Sequence, residues 1–415
     1  MKKFAIISTI LVLLAAALFG YSLYHYLDVT GALDKKATVS ATEATAAAAS
    51  NEAENSAEAS TEAQAAAVST DGIFSQASEK AAKYVEDLSV EQMAGQIILG
   101  ICSDATTAAD EMNKYNLSGM LYEAANFQLM NSDQVIEAVK NAQAKTNIKP
   151  ILAAIEEGGM YTTVSDVTGF TEYDFNPIRQ EFAAGGLQAV EKEEDAKVDL
   201  FKKVGLNLNL APVVDICDSG DQIMYSRSLC EDADKVSAYA EYCAKFDQAK
   251  GVSVALKHFP GYGTIPDSAN TGVGAVVDER PADSIRSKDY LPFKKGAENG
   301  AHFVMISNVV VKNIDATHTA ALSPALHNEL RTTVGFTGLI ITDVLDDADY
   351  SAYADGKKPV VQAVLAGNDI VLVRDYATAH ADIVAAAKSG EITEDQLRQL
   401  CTRVIAYKYT AGIMS

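Results

Sequence analysis

The chain predicts an α/β fold of the closed (β/α)8, TIM-barrel type, and three observations carry the prediction. Eight short apolar runs recur along it, at 96–102, 119–122, 151–155, 206–210, 252–257, 303–307, 339–343 and 369–373. Each run is apolar on both faces, the pattern of a strand buried in a parallel sheet rather than of one with a wet side. Amphipathic helical stretches lie between them, among them 132–146, 185–203, 235–250 and 359–366. Eight such units in a row favour closure into a barrel over an open doubly wound sheet. No Gly-x-Gly-x-x-Gly follows the first run, which counts against a dinucleotide-binding fold. A last helical stretch, 393–409, is expected to complete the ring.

Two segments precede the barrel. Met1-Lys2-Lys3 leads into a nearly uncharged apolar run from Phe4 to about Tyr24. Lysines ahead of roughly twenty apolar residues fit a signal peptide or a spanning helix with its N-terminus inside. The run is long for a signal peptide and its small-x-small cleavage pattern is weak, so residues 1–30 are expected to be an uncleaved signal-anchor. No cysteine follows to carry a lipid. Residues 31–78 are Ala, Ser, Thr and Glu with few large apolar side chains. Such a segment buries too little surface to offset its ordering entropy, and is expected to be a disordered acidic linker. The barrel is expected to occupy 79–415, and Ser89-Val90-Glu91-Gln92 is a capping box at the start of a helix. This organisation places the barrel outside a cell membrane, tethered by one span, or secreted if the leader is removed.

Composition narrows the function. The 415 residues carry a formal net charge of −22, with 48% hydrophobic and 22% charged residues. A surface that acidic repels phosphate backbones, so nucleic acid is not an expected partner. The five cysteines, Cys102, Cys217, Cys230, Cys243 and Cys401, contain no C-x-x-C pair, and neither a disulfide framework nor a zinc site is indicated. No metal constellation appears and no cofactor is implied.

In barrels of this kind the site forms at the C-terminal ends of the strands. The third run ends in Ile155-Glu156-Glu157-Gly158-Gly159, and the fourth leads to Ala211-Pro212-Val213-Val214-Asp215. The fifth ends in Lys257-His258-Phe259-Pro260-Gly261-Tyr262-Gly263, the sixth near Ser307-Asn308, and the seventh in Thr342-Asp343. Polar residues that end apolar strands are rarely there for packing, and a Gly-Pro-rich turn allows the backbone to approach a ligand closely. Asp215, Lys257, His258 and Asp343 should therefore converge on one mouth.

These segments, in this order, resemble glycoside hydrolase family 3 in its single-domain β-N-acetylhexosaminidase branch. Lys257 to Gly263 resembles the family's KHFPG(H/Y)G, and Gly205-Leu206-Asn207-Leu208-Asn209-Leu210-Ala211-Pro212-Val213-Val214-Asp215 its GxNxNxAPVxD. Tyr225-Ser226-Arg227-Ser228-Leu229 resembles the DRSFG-type loop, and Gly335-Phe336-Thr337-Gly338-Leu339-Ile340-Ile341-Thr342-Asp343 the GFxGxxxTD segment. The resemblance implies a retaining hydrolase of terminal β-linked N-acetylhexosamine residues, acting on saccharide or cell-wall fragments. It implies Asp343 as nucleophile, with Arg227, Lys257, His258 and Asp215 in substrate binding.

Several positions depart from the family pattern. The acid/base loop, expected to read Asp-Ser-His or Asp-Thr-His, reads Asp267-Ser268-Ala269-Asn270. Asp267 is the remnant of that dyad, and neither Ala269 nor Asn270 can shuttle a proton. The strand-three motif DxEGG, with an arginine four residues on, is implied to grip the sugar's outer hydroxyls; Ile155 and Thr163 stand at those two positions. Asn308 replaces a histidine. His318, Glu156 and Glu157 are candidate substitute acids, although His318 also reads as a solvated loop residue and Glu157 as a structural part of its turn. His302 opens a strand at the opposite face, and His327 and His380 sit in helical stretches. The alternative is a catalytically inactive barrel that binds saccharide or protein at the cell surface.

Overall fold

The computed structural model describes residues 72–170, 172–269, 275–346 and 350–415. The expected signal-anchor, the linker up to residue 71, and Asn270 lie outside the described residues. Among the described residues no helix is long and apolar enough to cross a membrane.

The eight runs form eight strands: β1 (Ile98–Ile101), β2 (Gly119–Leu121), β3 (Ile151–Ala154), β4 (Leu208–Asn209), β5 (Ser253–Phe259), β6 (Phe303–Ile306), β7 (Leu339–Thr342) and β8 (Val371–Val373). All neighbouring pairs are parallel, and the sheet runs β8-β1-β2-β3-β4-β5-β6-β7. A parallel bridge between Ile341 and Ile370 joins β7 to the start of β8 and closes the ring. Every residue of β1, β2, β3, β6, β7 and β8 is buried, which is why these runs carry no polar alternation.

Helix ends follow local chemistry. The capping box at Ser89 is present, with Gln92 N–H donating to Ser89 Oγ and Ser89 N–H to Gln92 Oε1. Ser132–Lys145 and Pro359–Ala366 form helices where expected. Two boundaries differ. The helix expected from 185 starts at Ile178, behind Pro177, and runs to Val204. Gly186, with φ 66° and ψ −160°, breaks its direction, so the Gly185-Gly186 pair that reads as a start is a kink inside a longer element. At the other boundary, helix Ser75–Glu86 begins ahead of Glu79, so residues assigned to the linker by composition form its first turn. Phe74 is buried there, its ring 5.7 Å from that of Tyr407 in helix Glu394–Thr410. A single aromatic side chain decides this boundary, and composition averaged over a window dilutes it.

A two-stranded ribbon pairing Val277–Asp278 with Val310–Val311 was not anticipated. With two residues in each strand it carries no readable periodicity. It ties the β5–β6 connection to the segment after β6, on the face where the strands end.

Candidate active site

Glu157 organises the mouth. Its carboxylate accepts from Arg227 Nε at 2.9 Å and Nη2 at 2.7 Å, a bidentate pair, and lies 2.6 Å from Lys257 Nζ. Burial alone would raise the Glu157 pKa, but the Lys257 ammonium and Arg227 guanidinium outweigh it and hold it down at about 2. Burial lowers the Lys257 pKa, against the opposing pull of Glu157. The turn that presents Glu157 needs its glycines: Gly158 has φ 105°, and a Cβ there would lie 2.1 Å from the Asn176 carbonyl oxygen. Glu157 is thus more than part of the turn, and ionised between two cations it cannot serve as an acid.

The second group is Asp215 with His258. A register shift between β5 and β6 falls between Lys257 and Phe259, leaving His258 as the extra residue of a bulge. Lys257 and His258, adjacent in sequence, thereby engage different carboxylates. His258 Nδ1 is 2.8 Å from Asp215 Oδ2. Because a carboxylate only accepts, Nδ1 carries the proton, and Nε2 has no partner among the described residues. Asp215 also accepts from Tyr262 N–H at 2.8 Å, and the Tyr262 ring stands edge-on to His258, centroids 5.4 Å apart. The Tyr262 hydroxyl is pushed well up by burial and by the nearby charges of Asp343 and Asp215.

Asp343 follows the last residue of β7 and is half-buried rather than turned into the core. Its Oδ1 accepts from Val344 N–H at 2.8 Å, and no ion pair engages it among the described residues. Lys257 feels the Asp343 charge, but its direct partner is Glu157. Asn308 Nδ2 donates to the Val344 carbonyl at 2.8 Å, tying the end of β6 to the residue after Asp343. Sequence reading treated Asn308 only as a lost histidine; a polar residue ending a strand was the available signal for this role.

The acid/base loop and the substitutes fare differently. Asp267 lies in a 3-10 turn, Asp267–Ala269, exposed, its N–H donating to the Asp221 carbonyl at 2.7 Å. No described hydrogen bond joins its carboxylate to Glu157, Asp215 or Asp343. Ala269 packs against the apolar cluster. Glu156 is walled in, accepting from Val164 N–H at 2.9 Å and Ser165 Oγ at 2.5 Å, its pKa raised by burial. His318 is not a solvated loop residue: Nδ1 meets Asp315 Oδ2 and Nε2 meets Asp355 Oδ2, both at 2.9 Å. Both nitrogens face carboxylates and must donate, so the ring is a charged clamp. Burial would lower its pKa, yet the bonds to Asp355 and Asp315 raise it. None of the three offers a free proton at the mouth. His302 is half-buried beside Ser253, its pKa lowered by desolvation to about 4. Thr163 Oγ1 accepts the Ile155 N–H at 3.4 Å, so its hydroxyl is turned to the backbone.

Among the described residues Glu194, Cys243 and Asp247 lie close enough to share a metal. Lys197 Nζ already stands 2.9 Å from both Glu193 and Glu194, supplying a cation to that buried cluster.

The model of the glycosyl hydrolase family 3 N-terminal domain matches residues 86–407. The chain belongs to glycosyl hydrolase family 3. Beta-hexosaminidases of Stenotrophomonas maltophilia strains R551-3 and K279a are 30% and 36% identical to it, each match covering 67% of this chain and 82% of the relative. Among solved structures, the beta-N-acetylhexosaminidase from Beutenbergia cavernae is 27% identical with a TM-score of 0.64, covering 78% of this chain and 99% of that one. A family 3 beta-N-acetylglucosaminidase from a Paenibacillus species superposes with a TM-score of 0.70 at 23% identity, over 79% of this chain and 63% of that one, and supports the fold. As a family 3 member the chain is a glycoside hydrolase.

Proposed function

We propose that this family 3 barrel hydrolyses β-linked N-acetylhexosaminides with retention of configuration, Asp343 attacking the anomeric carbon and water then releasing the glycosyl-enzyme intermediate. The observation that carries the reading is the pairing of Glu157 with Arg227 and Lys257, beside the Asp215–His258 pair, next to an Asp343 that is half-exposed and without an ion pair among the described residues. A nucleophile must be free of a competing salt bridge, and the sugar-binding donors must be held before substrate arrives. Glu157 and Asp215 provide that preorganisation for Arg227, Lys257 and His258. The names of the Stenotrophomonas relatives support N-acetylhexosamine as the sugar.

The acid is the weak point of the site. Loss of a general acid costs on the order of 10²–10⁴-fold when the leaving group is poor, and little when it leaves unaided. Turnover of an activated aryl N-acetyl-β-glucosaminide should therefore far exceed turnover of a natural oligosaccharide, and Asp343→Asn should abolish it. Equal background rates for the wild type and the variant would defeat the hydrolase reading and favour a non-catalytic saccharide-binding barrel. The apolar leader and the acidic segment behind it support display of the barrel outside the cell membrane.

A further inference from the structure

Beside the mouth lies a cavity of about 260 Å³ that the reaction does not use. Residues from 157–161, 177–180 and 225–227 line it, so it shares Glu157 and Arg227 with the sugar grip, while Asp343 is not among its walls. Two rings furnish it, and each is held by an arginine: Arg227 lies 4.5 Å over Tyr161, and Arg179 lies 4.0 Å over Tyr225. Arg179 is fixed in turn by the carbonyls of Tyr225 and Cys217 and by Ser228 Oγ. At the rim, Met160 is 90% exposed and Tyr161 41% exposed, consecutive members of a short set of large exposed hydrophobic residues on the described chain. Large apolar side chains gathered at one rim of a cavity mark a binding surface more often than scattered ones do. Gln180 and Ser226, both exposed, add hydrogen-bonding groups to the same walls.

The chemistry fits a pyranose ring, which offers an apolar face of C–H bonds and an edge of hydroxyls, in a space sized for one such group. The position fits as well. The loop forming one wall is the loop whose implied aspartate and arginine are replaced by Ile155 and Thr163. Ile155 is apolar, and Thr163 spends its hydroxyl on the Ile155 N–H. Neither residue closes a polar grip around the outer hydroxyls of a sugar whose anomeric carbon is at Asp343.

We infer that this cavity is a second sugar subsite, for a β-linked N-acetylhexosamine residue joined through an outer hydroxyl of the one at Asp343. The reacting residue is then an internal unit rather than a chain end. The inference rests on the hydrolase reading above and adds to it the length and orientation of the substrate.

The full chain is assayed on two aryl glycosides, one of N-acetylglucosamine and one of its β-1,4-linked disaccharide. Hydrolysis adds the water hydroxyl to the anomeric carbon and its proton to the departing phenolate, whichever sugar is bound. The expected first product from the second substrate is the intact disaccharide, with kcat/KM about 10-fold above that for the monosaccharide glycoside. Met160→Ser, which removes the apolar rim, and Gln180→Trp, which fills the cavity, should bring that ratio near unity and leave the monosaccharide rate unchanged. Release of the terminal N-acetylglucosamine first, or a ratio insensitive to both variants, would overturn the subsite while leaving the hydrolase reading intact. Absence of turnover on either substrate counts against hydrolysis instead, and calorimetry with Asp343→Asn then decides the subsite. Tighter binding of the disaccharide supports it; equal binding, or none, overturns it.

Discussion

A buried carboxylate between a buried ammonium and a half-buried guanidinium differs from a surface ion pair, because removing it leaves charge that water reaches poorly. Glu157 is such a group, facing Arg227 and Lys257. Glu157→Gln should destabilise the fold by about 3–5 kcal/mol, the range for breaking a buried pair by losing one partner. The sign of its pH dependence follows from the depressed pKa. The carboxylate contributes its full stability above its unfolded value of about 4.3 and loses it as pH falls toward 2. The stability gap between wild type and variant, measured in urea, should be widest near neutrality and shrink through that acid window; a gap independent of pH would remove Glu157 from this role. Sequence alone located Glu157 but left its partners open. Arg227 lies far along the chain, and a strand-end glutamate before two glycines reads equally as turn chemistry.

At the scale of elements, the loops after β6 and β7 are pinned together by one ring. His318 bridges Asp315 and Asp355, and Ser323 Oγ also donates to Asp315 at 2.7 Å. A histidine whose pKa is raised on folding stabilises fully below its unfolded value near 6.5, and the contribution is lost as pH rises through the raised value. Amide exchange around Asp355 should therefore accelerate, beyond the intrinsic chemical rate, as pH rises above about 6.5. His318→Gln should show the fast exchange throughout; protection that tracks only the intrinsic rate would refute the clamp. Strands were more legible than loops at this scale. An apolar run with no polar face has only a buried sheet to enter, whereas the bridge from His318 to Asp355 depends on two loops meeting.

For the whole molecule, closure of the ring rests on a charge cluster at the β7–β8 seam. Asp369 accepts from Arg331 Nη2 at 2.7 Å, Arg403 Nε at 2.6 Å and the Ile340 N–H at 2.7 Å. Arg403 belongs to helix Glu394–Thr410, so one buried carboxylate joins strand, seam and last helix. The proposed display outside the cell is also a matter of the whole chain. Protease added to intact cells should release the barrel from an anchor within residues 1–30 by cutting the acidic segment behind it. Complete protection of the chain would refute the signal-anchor reading.

What the sequence determined by itself was the barrel, its eight strands and the mouth residues Asp215, Lys257, His258 and Asp343, because strand burial and strand-end polarity are local patterns. Helix Ser75–Glu86, the kink at Gly186 and the short ribbon lay beyond it, each resting on one or two residues that no period reveals. Tertiary structure alone decided that Glu157 holds two cations, that His318 is a clamp and that a cavity opens behind Arg227. Each of these depends on which distant side chains meet, and a charge acquires its role from the partners that share its burial.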